Sequence, residues 1–371
     1  MRCTQAWEAT SSVARTITGC GDDGEGREVS EHQPARHGRK PPTIRDVARA
    51  AGVSTSTVSR ALDERLPPSN TVAAQRARQA AAELGYRRDA AASSLRRTGA
   101  TAIGVIVPRL RDTVMAMLFE EIAFACEQRS LLALVATSHE DPHREREAAE
   151  SLLQRRVDGL ITTTTRVGDD FPATLRERDV PHVLALRTDG ISPSSIGDDE
   201  LGGYLATRHL TDLGHRRIGL VAGPEHASSA RGRVAGYRRA LAEAGLAGRD
   251  GWVRPSQFSM ESGEEQGEAL LRTPEPPTAI FAVNDNTAVG VMAAAHRLGW
   301  RVPEDLSVVG YNDIPLAKRL PVPLSTVHVP LGQVAVNAVE LLMDAMVGRP
   351  AATRVCLPSL IPRQSSTAPP P

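Results

Sequence analysis

Between Thr43 and Leu62, apolar positions recur at helical spacing in two short runs separated by a glycine. Ile44, Val47, Ala48 and Ala51 fall on one face, and Thr43 stands ahead of them where it caps a helix, with Asp46 three residues on. Gly52 sits where a left-handed residue ends a helix, Val53 plugs the turn, and Ser54 caps a second helix whose Val58, Ala61 and Leu62 point inward. The outward positions are small and polar, Thr55, Ser56 and Ser59, with Arg60 as one long cation. The spacing is that of a DNA-reading helix-turn-helix, although the pattern alone also fits an ordinary helical hairpin.

From Ala102 onward the pattern changes to short apolar runs alternating with amphipathic stretches. Strands are predicted at Ala102–Val107, Leu131–Thr137, Asp158–Thr164, His182–Leu186, Ile218–Ala222, Ala279–Val283 and Ser307–Gly310. Between them Glu145–Arg156, Leu201–Leu213, Arg231–Ala244 and Asn286–Leu298 read as helices, the βα alternation of doubly wound parallel sheets. Such sheets bind ligands beyond the carboxyl ends of their strands, and Asn284-Asp285 and Asn312-Asp313 fall at two such ends. By contrast, residues 1–42 show little periodicity and read as a disordered extension.

Length and charge sharpen this picture. A chain of 371 residues accommodates two or three domains, and 41% apolar residues are enough for ordinary cores. Aromatic residues are 3% of the chain, so little of its chemistry can rest on stacking. Formal net charge is zero, yet residues 41–100 hold ten arginines against five acidic residues. One basic end on a neutral protein suits nucleic-acid binding by that end, and the charge coincides with the helix-turn-helix. Cys3, Cys20, Cys126 and Cys356 lie far apart without metal-ligand spacing, so no metal or cofactor is expected. The N-terminus lacks the apolar core of a signal peptide and no apolar run reaches membrane length; a cytoplasmic protein that does not enter a membrane is expected.

The helix-turn-helix, a third helix ending in Glu83-Leu84-Gly85-Tyr86 and the strand Ile103-Gly104-Val105-Ile106-Val107-Pro108 together resemble the lactose/galactose-repressor family of bacterial transcription regulators, over roughly Thr43 to Gln364. The resemblance implies an N-terminal all-α helix-turn-helix domain (43–86), a hinge helix (87–99) and an α/β effector-binding and dimerisation domain (100–364) like a two-lobed periplasmic sugar-binding protein. Lobe one would hold 100–198 and 326–352, and lobe two 199–325 and 353–364, with 365–371 a frayed tail. The family begins just before the Thr43 motif. Residues 1–42 are therefore either a mis-set translation start, with Val29 one candidate for the true one, or an arm that touches DNA. No heptad-bearing tail follows the last lobe, so a homodimer on a near-palindromic double-stranded operator is expected.

Residue by residue, the family's base readers match Thr55, Ser56 and Arg60. Arg60 can present two donors to guanine, and the short hydroxyls tolerate several bases. In the hinge, Leu95 matches a leucine wedge that enters the minor groove, and Ala92 matches the small residue that lets paired hinge helices approach. Departures are Arg88, Asp89 and Ser93 in the hinge and Ala73-Ala74 in the third helix, which moves a phosphate contact toward Arg76 or Arg78. On the effector side, Arg233, Asn284, Asn312 and Phe258 match ligand-contacting positions. Val114 and Met115 stand where relatives carry aromatic residues, and Ala185-Leu186-Arg187 lacks the aspartate of many sugar binders. These departures set a less polar or acidic metabolite beside a sugar as the expected effector. Asp285 and Asp313 are expected to be structural.

The resemblance further implies a repressor: a bound effector rotates the first lobes of a dimer and separates the hinge helices, while some relatives respond in the opposite sense. Two other classes fit less well. A transport binding protein would carry no helix-turn-helix, and an enzyme would need a nucleophile or acid-base group beside its partners. No G-x-S-x-G, GxxxxGK[ST] or HExxH pattern occurs, and His139, His143, His182, His209, His215 and His226 are scattered.

Overall fold

The computed structural model describes residues 42–62, 69, 71–84, 86, 102–249 and 251–370. Residues 1–41 of the expected extension 1–42, and the hinge, with Arg88, Asp89, Ala92, Ser93 and Leu95, lie outside the described residues. The chain divides into two compact units, Met1–Arg88 and Asp89–Pro371.

The first unit is helical: α1 (Ile44–Ala51), α2 (Thr55–Ala61) and α3 (Val72–Glu83). The Thr43 N–H and hydroxyl both donate to the Asp46 carboxylate, at 2.9 and 2.6 Å, which fixes the first turn. Gly52 has φ +63°, a conformation that costs a residue with a Cβ. That turn lets the Val53 N–H reach the Ala48 carbonyl at 3.0 Å and close α1. Ser54 Oγ then accepts the Thr57 N–H at 3.1 Å and opens α2. Val47 and Val58 pack with Ala48, Ala51, Ala77, Ala80 and Ala81, so the core is made mostly of methyl groups and the three helices lie close.

The second unit contains two six-stranded sheets. In the first, β1 (Ala102–Val107), β2 (Leu132–Thr137), β3 (Gly159–Thr162), β4 (His182–Ala185), β5 (Ser194–Gly197) and β11 (Arg354–Cys356) run parallel in the order β11-β5-β4-β3-β1-β2. The second holds β6 (Ile218–Ala222), β7 (Val253–Pro255), β8 (Ala279–Ala282), β9 (Ser307–Asn312), β10 (Ser325–His328) and β12 (Ser359–Ile361), in the order β12-β10-β9-β8-β6-β7. Only β12 in it is antiparallel to its neighbour. The helices are α4 (Thr113–Glu127), α5 (Pro142–Gln154), α6 (Phe171–Glu177), α7 (Asp199–Asp212), α8 (Ser228–Glu243), α9 (Met260–Leu271), α10 (Asp285–Arg297) and α11 (Leu331–Met346). The central strands are wholly buried, which is why they read as unbroken apolar runs.

Three details correct the expected organisation. β10 pairs with β9, so the chain re-enters the first lobe after His328, at α11, and not at residue 326. β11 pairs with β5, so the final crossing follows Cys356 and not residue 352. The start of the stretch 365–371, a stretch expected to fray, is docked: the Val308 N–H donates to the Ser365 carbonyl at 2.7 Å, and Ser365 Oγ donates to the Val308 carbonyl at 2.6 Å. The Thr367 N–H bonds Ser307 Oγ at 3.0 Å. Strands of three or four residues carry no readable period, and a polar tail can dock through hydroxyl and backbone bonds that apolar patterning does not register.

Two helix pairs in lobe two approach backbone to backbone. A Cβ on Gly203 of α7 would lie 2.2 Å from the Arg233 carbonyl, and one on Gly236 of α8 2.0 Å from that of Glu200. The α9 and α10 pair repeats the device at Gly263 and Gly290, 2.3 Å from the Thr287 carbonyl and 2.0 Å from that of Met260. Only glycine permits this separation, and in the first pair it fixes where Arg233 stands.

Candidate functional site

The carboxyl ends of the strands face one small cavity. Val114 and Met115 reach it from the start of α4, Arg233 from α8, Phe258 from the loop after β7, Asn284 from the end of β8 and Asn312 from the end of β9. All six effector-site residues expected from the sequence thus line a single space of about 40 Å³. Ligand pockets ordinarily offer roughly 300–1,000 Å³, so this space is smaller than an ordinary metabolite site. A larger cavity of about 890 Å³ runs along α8 and β7 and holds none of these six.

Arg233 is tightly held. Its Nε donates to Asp199 Oδ1 at 2.9 Å, a terminal nitrogen donates to the Val283 carbonyl at 2.7 Å, and its guanidinium lies 3.7 Å from the Tyr311 ring centre. Tyr311 donates to the same Asp199 oxygen at 3.2 Å. Burial pushes the Asp199 carboxyl up, and the arginine opposes that shift. Asn284 has two tasks: its Oδ1 accepts the Thr287 N–H at 2.8 Å and caps α10, while its amide group remains for the cavity. Asp112 similarly caps α4 through the Val114 N–H at 3.0 Å. At the cavity wall Leu186 and Asn312 have φ +62° and +103°. Non-glycine residues in such conformations cost about 1–3 kcal/mol each and concentrate at functional sites.

The second members of the two Asn-Asp pairs bond protein groups. Asp285 accepts the Thr326 hydroxyl at 2.6 Å and the Ile314 N–H at 2.8 Å, and burial raises its carboxyl to about 7 from an ordinary 3.8. Asp313 accepts from Arg363 at 2.6 Å. Because the folded state favours protonated Asp285, its contribution to stability is full below about pH 4 and is lost as pH rises through about 7. Asp285→Asn can keep both bonds, with Oδ1 accepting from Ile314 and the amide donating to Thr326. The stability advantage of the parent over this variant, from urea unfolding at pH 5 and pH 8, is therefore expected to fall with pH. A difference that stays level would refute the assignment.

On the helical unit, Thr55, Ser56 and Arg60 are exposed on α2. The Ser56 hydroxyl bonds the capping Ser54 hydroxyl at 2.7 Å, which orients it at the start of the helix. Of the two arginines considered for phosphate contact, Arg78 donates to the Ser69 carbonyl at 2.7 Å and to that of Ala61 at 3.4 Å, closing the end of α2, while Arg76 is exposed. Among the described residues no helix is long and apolar enough to cross a membrane, and no group of three or more His, Cys, Asp or Glu side chains could hold a metal.

Two parts of the chain match known protein families. Residues 43–89 match the model of bacterial regulatory proteins of the lacI family, and residues 207–366 match the periplasmic binding protein-like domain. The chain is 33% identical over 331 residues to the HTH-type transcriptional repressor PurR of Pectobacterium carotovorum subsp. carotovorum, covering 87% of this chain and 96% of that one. Its counterpart in Serratia proteamaculans is 34% identical with the same coverage. Among solved structures, the lac repressor dimer bound to operator and the anti-inducer ONPF superposes with a TM-score of 0.70 at 30% identity, over 89% of this chain and 100% of that chain. The transcriptional regulator CelR in complex with cellobiose gives 0.67 at 27% identity, over 87% and 99%. The chain belongs to the lacI family of bacterial regulatory proteins.

Proposed function

We propose that this protein is a cytoplasmic homodimeric repressor that reads a near-palindromic operator through α2, and whose hold on DNA is set by a small polar metabolite in the cleft. The reading rests on one conjunction. A helix-turn-helix with Thr55, Ser56 and Arg60 outward belongs to the same chain as a cleft on which an arginine, two carboxamides and an aromatic ring converge from distant segments. Relatives named as repressors and a neighbour bound to operator support the DNA half, and a cellobiose complex supports the ligand half. Within the cleft Arg233, Asn284 and Asn312 would hydrogen-bond the ligand, Phe258 would cover its face, and Val114 and Met115 would form an apolar wall. The family is one of DNA-binding regulators, and no chemical step is assigned to the cleft.

Selection of binding sites from random DNA tests the first half. The recovered sites should be near-palindromic with a guanine in each half, and Arg60→Ala should lose about 1–3 kcal/mol of discrimination at that base. A sequence-indifferent set would sink the assignment of α2.

A further inference from the structure

Arg187, just past β4, is a cleft cation that the assigned positions do not absorb. It is 5% exposed, yet its hydrogen bonds are long: 3.3 Å to the Thr164 carbonyl and 3.4 Å to Glu140 Oε1. A guanidinium has five N–H donors, and burying its charge without good acceptors is costly. Arg233, by contrast, has Asp199, the Val283 carbonyl and the Tyr311 ring at short range. The left-handed Leu186 sits at the same wall as Arg187, and the Arg187 guanidinium lies 5.7 Å from the centre of the Phe258 ring. Arg187 belongs to lobe one and Phe258 to lobe two, so cation and ring meet only when the cleft is closed. Beside them, Glu140 Oε2 is buried with no hydrogen-bond partner among the described residues, 3.8 Å from a similarly unpartnered His226 Nε2. The wall therefore presents a cation short of acceptors next to a carboxylate oxygen short of donors.

We propose that Arg187 determines effector specificity and that the effector is an anionic polyol, with a carboxylate or phosphate oxygen on Arg187 and a hydroxyl donating to Glu140. This rests on the cleft being the effector site. Its segment, Ala185-Leu186-Arg187, lacks the aspartate of many sugar binders and offers a forked donor in place of an acceptor. Asp112, the other carboxylate on the cavity, already accepts the Val114 N–H and offers a ligand less.

Calorimetry on the full chain with matched probes tests this: glucose, glucuronate, gluconate and glucose 6-phosphate, then galactose with galacturonate and ribose with ribose 5-phosphate. At least one anionic member should bind about tenfold or more tighter than its neutral parent, and whether it is a sugar acid or a sugar phosphate identifies the anion. Arg187→Gln should remove most of that advantage, the anionic member losing about tenfold more affinity than its neutral parent. Arg187→Lys, which keeps a point charge without the fork, should retain part of it and replaces the first variant if that fails to fold. Neutral sugars binding as tightly as their anionic partners, or no anionic member binding at all, overturns the proposal. If Arg187→Gln has no effect while Phe258→Leu weakens binding, the cleft stands and Arg187 is not its selector. If neither changes binding, the ligand lies elsewhere.

Discussion

Arg233→Ala is expected to destabilise the effector domain as strongly as it weakens any ligand. The substitution removes the cation from Asp199, which is largely covered at the start of α7 and has Tyr311 as its remaining side-chain donor. Breaking a buried ion pair from one side leaves an uncompensated charge and costs about 3–5 kcal/mol. The stacking on Tyr311 and the bond to the Val283 carbonyl go with it. Urea unfolding measures the loss, and the double variant Arg233→Ala with Asp199→Asn should recover a good part of it. Parent-like stability in the single variant would mean that the pair contributes nothing to the fold. Effector affinity is therefore better probed at Arg233 under conditions where the variant is shown to remain folded.

The second large effect is expected at Gly236. An alanine there places its Cβ 2.0 Å from the Glu200 carbonyl and 2.4 Å from the Tyr204 amide, both backbone atoms that cannot swing aside. Helix α8 must move off α7, and forced separation of close-packed elements costs about 1–3 kcal/mol or more. Arg233 lies three residues earlier on the same helix, so affinity for the effector should fall together with the melting temperature. Gly248→Ala, where an added Cβ meets nothing within 4 Å, is the control and should leave both unchanged. Equal behaviour of the two variants would show that the helix contact tolerates repacking.

What the sequence made legible follows the range of the forces involved. The helix-turn-helix could be read almost atom by atom because its determinants are local: a capping threonine three residues from an aspartate, a left-handed glycine and a capping serine. The central strands were legible as apolar runs because parallel sheets bury both faces. β5, β7, β10, β11 and β12 were not, since strands of three or four residues, whether at a sheet edge or one place in from it, are defined by their partners and not by their own composition. Helices α4, α6, α9 and α11 likewise fell between the stretches recognised as amphipathic. In the cleft, Arg233, Phe258, Asn284 and Asn312 were found by resemblance. Arg187 has no signal of its own in the sequence, where its segment shows only the lack of an aspartate, and only the fold shows the guanidinium arriving at Phe258. The polar tail was misjudged because a run of Ser, Thr and Pro has the composition of a frayed end, while Ser365 forms two bonds with Val308.

The placement of β11 and β12 bears on synthesis. These strands lie at Arg354–Cys356 and Ser359–Ile361 and form one outer edge of each sheet, against β5 and β10. A nascent chain emerging from the ribosome can form the helical unit and most of both lobes while this last stretch is still in the exit tunnel. Until residues 354–361 have emerged, β5 and β10 each leave a row of backbone donors and acceptors open to other strands. A chain truncated before Arg354 would thus keep its helix-turn-helix while both sheets are left with an unprotected edge open to aggregation.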